Sequence, residues 1–563
     1  MAAITFAAPD AGIWEQDATH FPRPVTRYLQ EAFSEGFIKG FQSGTSCYGL
    51  MLDHIEPAFV NEFFYNKTVI VGAPPNAKAP PPKLMFKLVC LLHPAVRARL
   101  KRAALVMEEK PWREHLKHWD TVLKPTSTAN HLRLQSQDFA SMSDAQLADH
   151  VGECFANEKA MVFQHHIYTV DCGIVMGDYM ACAMEWTGLP PSDVSQALKG
   201  STPISSGVTE EYLAALRAVA ADPAAGALLN GSAPPAEKLR QLQALPGATG
   251  PAIKAYLDLV SHRVVGGYDI SCPTAIETPE VLVSALQVKL SPEEEAKAAE
   301  AVKRHIAKLR EAVPEAKRAQ FDEVLGEART LNRLRDERGY WSDLWASGIS
   351  RRALLEAGRR LAAKGTIQAP EHALDATCGE LQALLTGSGK GVGAQELAER
   401  HRYRVTTPNG TAPPTMNGTP SGPPPLEWFP EKTRRTMRAM NTLLSQLFAP
   451  GDRKSEGKTV RGISVSTGRY EGKARVIENI EDLHLLQKGE VLVTRSTSTA
   501  FNYVLPLVGA IVTDRGGLMS HAAIVAREYG LPGVVGCRVA CAMIPDGARV
   551  RVDADAGEVT VLA

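Results

Sequence analysis

The sequence predicts a multi-domain chain: a largely α-helical body followed by a C-terminal β/β/α domain. Three observations predict it. From Lys83 to about residue 400 the apolar residues recur mostly at helical spacing, with capped starts such as Ser143-Asp144-Ala145-Gln146. From Thr406 to Pro425 the chain turns to Thr, Pro, Asn and Gly, a low-complexity hinge or exposed loop without the means to build a core. Beyond Val460, short β-type segments take over: Gly462–Ser466, Gly472–Val476, Val491–Thr494, Ala510–Thr513, Gly533–Gly536, Arg549–Val552 and Val559–Val561. The boundaries that follow are 1–404 for the mostly helical body, 405–459 for a Pro/Gly-rich linker with a short helix (Glu431–Leu447), and 460–563 for the final domain.

Composition narrows the class. At 563 residues the chain is long enough for two to four cored domains. Its 62 Lys and Arg balance 62 Asp and Glu, which argues against nucleic acid and anionic membranes as partners. Nine cysteines, an odd number with no C-x-x-C pair, fit reduced thiols in the cytoplasm. Neither a leader-like N-terminus nor a membrane-length apolar run is evident, so a soluble cytoplasmic protein is expected.

In chain order, Trp14–Tyr28 is an extended entry, because Pro22 and Pro24 disfavour a helix; it carries His20, Arg23 and Arg27. Residues 29–66 hold aromatic and small residues without a clean period, expected as core or as the wall of an apolar pocket. Gly72–Pro82 must be a loop. The helix opened by Ser143 brings His165-His166 near Tyr168 and Asp171. Adjacent positions point to different sides of a helix, so one buried or acceptor-facing and one surface histidine are expected rather than a metal pair. Residues 221–250 suggest loops between short helices. A helix then ends near His262 and Arg263, where a cation complements the helix dipole, with Asp269 following. Glu293–Leu325 reads as one long charged helix, and Leu331–Trp341 carries Arg335 and Asp336.

The most informative stretch is Thr513-Asp514-Arg515-Gly516-Gly517-Leu518-Met519-Ser520-His521-Ala522-Ala523-Ile524-Val525-Ala526-Arg527-Glu528-Tyr529-Gly530. Apolar runs flank it, so it reads as strand, Gly-rich turn, short helix, strand. Ser520 is a good N-cap and Gly530 a good stop, which puts His521 in the first helical turn. Unpaired N–H groups and the dipole suit an anion there, and imidazole is a competent nucleophile toward phosphorus at neutral pH. On its own, a histidine at that place also reads as structural.

The whole window resembles the phosphohistidine swivelling domain of the phosphoenolpyruvate-utilising enzymes, which share a Gly-Gly-x-x-Ser-His-Ala-Ala-x-x-Ala-Arg core. Gly516, Gly517, Ser520, His521, Ala522, Ala523, Ala526 and Arg527 match it. The resemblance implies that His521 carries a phosphoryl group, with the Thr497–Asn502 loop beside it. The body is similar to the acceptor domain of the rifampin phosphotransferase branch. There the Asp-x-x-His-x-Pro-x-Pro stretch implies that His20, Arg23 and Arg27 face a phosphate or the acceptor; otherwise the arginines are solvated charges. His262, Arg263 and Asp269 match a further stretch of that branch. Arg335 and Asp336 match an Arg-Glu motif placed beside the phosphohistidine, although the lysine that often follows is replaced near Gly339. An arginine fork suits phosphoryl oxygens, while Asp336 would accept a proton or orient Arg335; a surface charge network is the other reading.

No Walker A sequence, dinucleotide-type glycine loop or ATP-grasp region is found. A phosphoenolpyruvate-binding barrel after Ala563 is not expected. The chain therefore resembles the acceptor-plus-carrier half of a split dikinase, as in phenylphosphate synthase and similar aryl dikinases. ATP and Mg²⁺ would bind to a separate ATP-grasp subunit that phosphorylates His521, and the acceptor would be a phenol. A rifamycin-like antibiotic acceptor, and a phosphohistidine carrier or carboxylate-activating ligase component, remain alternatives.

Overall fold

Both the helical body and the β-rich C-terminal domain are present in the computed structural model, which describes residues 4–202, 209–289, 291–388, 391–408, 410–448, 455–478, 480–497, 501 and 504–562. By internal packing the chain divides into two units. The first gathers residues 1–171, 262–272 and 338–438, the second 172–261, 273–337 and 439–563.

In the first unit, helix Arg27–Cys47 begins three residues after Pro24 and packs along helix Asp144–Ile167. Glycine makes the approach close: a Cβ on Gly40 would lie 2.6 Å from the Cβ of His166. The second helix starts at the expected capping box, Ser143 and Gln146 exchanging side-chain and backbone bonds. Helix Asp343–Ala363 packs against it in turn.

The sheet of this unit joins β1 (Trp14–Gln16), β2 (Leu52–Val60), β3 (Phe63–Ile70) and β4 (Thr415–Met416) in the order β2-β3-β1-β4, all antiparallel. Residues 29–66 therefore resolve into a helix and most of a hairpin. Asn61 and Glu62 turn it with φ of 48° and 66°, the mirror-image turn that matches strand twist. The Thr406–Pro425 stretch differs from expectation, because Ala412 and Met416 are buried with Trp14, Phe63 and Tyr65. Its prolines lack N–H groups but still accept: Gln16 N–H donates to the Pro414 carbonyl at 2.9 Å and Tyr65 O–H to that of Pro413 at 2.7 Å.

The second unit contains helices Glu210–Ala221, Pro223–Asn230, Pro235–Gln243, Thr249–Val260 and Pro279–Leu286. The single helix expected over Glu293–Leu325 is broken into Pro292–Ala312 and Arg318–Asn332 around a 3₁₀ turn, Glu315–Lys317. Pro314 is the cause: it lacks a donor and pushes Val313 out of the helical region.

The same unit ends in one sheet of β5 (Thr459–Arg461), β6 (Ile463–Ser464), β7 (Arg469–Ile477), β8 (Val491–Thr494), β9 (Ala510–Thr513), β10 (Gly533–Val535), β11 (Arg549–Asp553) and β12 (Glu558–Val561). Their spatial order is β5-β12-β11-β7-β8-β9-β10-β6, with β7 to β10 parallel. Every residue of β8 and β9 is buried, as an apolar run covered on both faces requires. Leu492, Ile511, Ala522 and Ala526 pack on one side, Val491, Val493, Val512 and Ile544 on the other. Among the described residues no single helix is long and apolar enough to cross a membrane.

Candidate functional site

The candidate site grows out of the end of β9. Asp514 accepts the backbone N–H of Ala540 at 2.5 Å, which pins the start of the turn. Gly516 then adopts a φ of +102°, and a Cβ there would meet Ser520 Oγ at 2.7 Å, so the turn requires glycine. Gly517 accepts the Ser520 N–H at 3.0 Å, and Ser520 caps helix His521–Tyr529 by accepting the Ala523 N–H at 3.4 Å. Gly530 closes that helix with a φ of +66°.

His521 is the first residue of the helix and is buried. Thr497 Oγ1 lies 2.9 Å from its Nδ1. An Nδ1–H donating to that oxygen leaves the lone pair on Nε2. Burial lowers the imidazole pKa to about 4; Asp336 opposes the shift and Arg335 reinforces it. The ring is therefore neutral, and nucleophilic, at physiological pH.

Two arginines flank the turn. Arg335 Nη1 donates to the Met519 carbonyl, and Arg527 Nη1 to that of Leu518 at 2.8 Å. Arg527 is fully enclosed, and burial lowers its pKa to about 10, against the nearby Glu528 and with Arg335. Glu528 accepts the Gly200 N–H at 2.7 Å and the Thr202 hydroxyl at 2.9 Å, while burial raises its pKa. A helix N-terminus, a neutral imidazole and the Arg335 guanidinium thus lie together at one turn, an arrangement that suits an anion.

Of the residues expected at a site, His521, Arg335, Asp336, Gly516, Gly517 and Ser520 lie in the second unit, and His20, Arg23, Arg27, His262 and Arg263 in the first. His20 Nδ1 bonds Asp17 Oδ2 at 2.7 Å, and Arg27 Nε donates to Glu62 at 3.1 Å. Arg23 and His262 are half-buried. Arg263 is fully buried: its guanidinium stands 3.7 Å from the ring centre of Tyr340, 4.3 Å from Trp345 and 4.7 Å from Trp341. Asp269 accepts the backbone and hydroxyl of Thr26 at 2.9 and 3.0 Å, tying the entry segment down.

The histidine pair differs from expectation. Neither ring is at the surface: His166 is buried, the His165 side chain is 13 % exposed, and the rings stack at 4.5 Å. His165 is held by Asp343, Nδ1 to Oδ2 at 2.6 Å. Among the described residues no group of three or more His, Cys, Asp or Glu side chains is arranged to hold a metal ion. The expected loop partner of His521 is realised by Thr497, while residues 498–500 and 502 lie outside the described residues. Tyr268, Asp343 and Glu528 were not legible as site neighbours. Asp17, by contrast, opens the Asp-x-x-His-x-Pro-x-Pro stretch, three residues before His20.

Comparison with known proteins finds two matched stretches, both falling mainly in the second unit. Residues 486–557 match the mobile domain of PEP-utilising enzymes, and 170–336 match the fourth domain of rifampicin phosphotransferase. A chondramide synthase of Chondromyces crocatus is 31 % identical over 55 % of this chain and 8 % of its own length. A rifampicin phosphotransferase of Streptomyces sviceus is 29 % identical over 58 % of this chain and 36 % of its own. One from Bacillus cereus is 45 % identical over 19 % of this chain and 12 % of its own. The chain spans less than half the length of these relatives. The resemblance read from the Gly516–Arg527 motif is borne out, and the similarity is to rifampicin-phosphotransferase-like phosphotransferases.

Proposed function

We propose that the chain is the acceptor-and-carrier component of a phosphotransferase, in which His521 takes a phosphoryl group derived from ATP and passes it to the hydroxyl of an aromatic compound. The observation that carries this reading is the state of His521: buried, neutral, bonded at Nδ1 and set at a helix N-terminus beside Arg335. Nε2 is then the nitrogen that bears phosphorus. A separate ATP-binding subunit, using Mg²⁺, would charge it. Arg335 would hold the phosphoryl oxygens as charge develops, and Asp336, whose charge favours the imidazolium, would steady the ring during loading. On discharge the P–N bond breaks, its electron pair returns to Nε2, and the acceptor oxygen takes the phosphoryl group. AMP, phosphate and an aryl phosphate are the products of the whole cycle.

A phenolic acceptor is favoured by the half-exposed His20 and its aromatic neighbour Tyr268 at the entry segment, backed by the buried Phe21, Phe33, Phe37 and Phe64 core. A rifamycin-type acceptor is the second reading, favoured by the 170–336 match. The test is intact-mass analysis of the wild-type chain and His521→Ala with Mg-ATP and an ATP-grasp partner, followed by phenols and rifamycins. Acid-labile phosphate on the wild type alone, discharged by one acceptor class, is expected. Equal labelling of His521→Ala would sink the reading.

A further inference from the structure

In the first unit, His20, Tyr268 and His165 stand in series. Asp17 Oδ1 accepts the backbone N–H groups of Thr19 and His20, both at 3.1 Å, so the carboxylate is fixed before it meets the ring. Its Oδ2 then takes the His20 Nδ1–H at 2.7 Å, which selects the tautomer with a lone pair on Nε2. The His20 side chain is 50 % exposed, and its ring is edge-on to Tyr268 with centroids 5.4 Å apart. Beyond Tyr268, at 6.0 Å, lies His165, bonded to Asp343. Phe21 borders Tyr268 at 6.4 Å and leads into the phenylalanine cluster.

The charged groups that face His20 are the carboxylates of Asp17 and Asp343 and the guanidinium of Arg338. Burial and Arg338 act against a positive charge on the ring, but the two carboxylates outweigh them and hold the His20 pKa above its usual value. Half-exposed, tautomer-locked and beside aromatic faces, the ring has the attributes of a base for a hydroxyl carried on an aromatic ring.

We propose that His20, oriented by Asp17, is the general base that removes the proton from an aromatic acceptor's hydroxyl, whose ring lies against Tyr268. This rests on the transfer reading given above. In the step, the O–H bond breaks and its proton goes to His20 Nε2, while the oxygen lone pair forms the O–P bond. The P–N bond to His521 breaks with its electrons returning to the imidazole, and His20 later releases its proton to water. Asp17 touches no reacting atom and is a positioning residue.

The test reads the proton directly. The full chain is titrated with 4-cyanophenol, whose neutral and ionised forms differ in ultraviolet absorbance, across pH; its methyl ether, with no proton to lose, reports that the pocket is intact. Wild type is expected to ionise the bound phenol about one pH unit below the free compound. His20→Gln should abolish that shift while still binding the ether, and Asp17→Asn should reduce it. In single-turnover discharge of charged His521, the rise of rate with pH should move to lower pH in Asp17→Asn. His20→Gln should lose about 10²-fold on unactivated phenol and less on 4-nitrophenol, which needs less help to ionise. Equal ionisation in wild type and His20→Gln, with both binding and discharge intact, overturns the base assignment alone. If wild type binds and is discharged by no phenol, the acceptor reading fails with it.

Discussion

His521 and His20 are held by opposite means. The first is enclosed and bonded to a hydroxyl, so that burial strips its charge. The second is half exposed and bonded to a carboxylate that sustains a charge. A carrier nitrogen must offer a lone pair before phosphorus arrives, whereas a base must receive a proton and keep it through the transition state. The partner on Nδ1, threonine in one place and aspartate in the other, sorts the same side chain into the two tasks.

The comparison breaks most sharply at Arg335. Arg335→Ala should slow discharge of charged His521 by about 10²–10³-fold, as loss of a preorganised electrostatic donor does, and Arg335→Lys should recover part of it. Stopped-flow single turnovers decide the matter, and an unchanged rate would remove Arg335 from the site. Next comes Thr497→Val, which leaves a buried imidazole N–H unpaired at a cost of about 1–3 kcal/mol. Charging should slow by about tenfold or more, and the C-terminal domain should melt earlier.

The smallest effect is the most diagnostic of the contrast. Because the folded His521 pKa lies near 4, below the ordinary value of about 6.5, the unfolded chain binds its proton first as pH falls. That residue's contribution to stability therefore declines between about pH 6.5 and 4. For His20 the sign reverses: its pKa is raised, so its contribution is complete below about pH 6.5 and is lost as pH rises through the folded value. Imidazole proton resonances followed against pH should show His20 titrating above the ordinary value and His521 nearly flat until about pH 5. Reversal of that order would undo the comparison.

The carrier turn was legible because its instructions are local: Gly516 for a positive φ, Ser520 as a cap and Gly530 as a stop all lie within fifteen residues of one another. Thr497 was legible only as part of a neighbouring loop, since its contact 24 residues away depends on how β8 and β9 align. His20 was singled out with its neighbours, yet Tyr268 and Asp343 reach it through the packing of distant segments, which no spacing encodes. The hairpin at Asn61-Glu62 escaped because the turn lacks the glycine that usually announces it. The break at Pro314 was legible, but the alternating charges on both sides outweighed the one residue that mattered.

The pairing of β1 with β4 sets a schedule. Glu15 finds its strand partner in Thr415, so one of the sheet's two inner strands leaves the ribosome about 400 residues before its neighbour. At roughly 5–20 residues per second that is a wait of about 20–80 s, during which Trp14 lacks the cover of Ala412 and Met416. A truncated product that stops short of residue 415 would carry this edge open for its whole lifetime. Quality-control proteases would then have a means of telling an unfinished chain from a finished one.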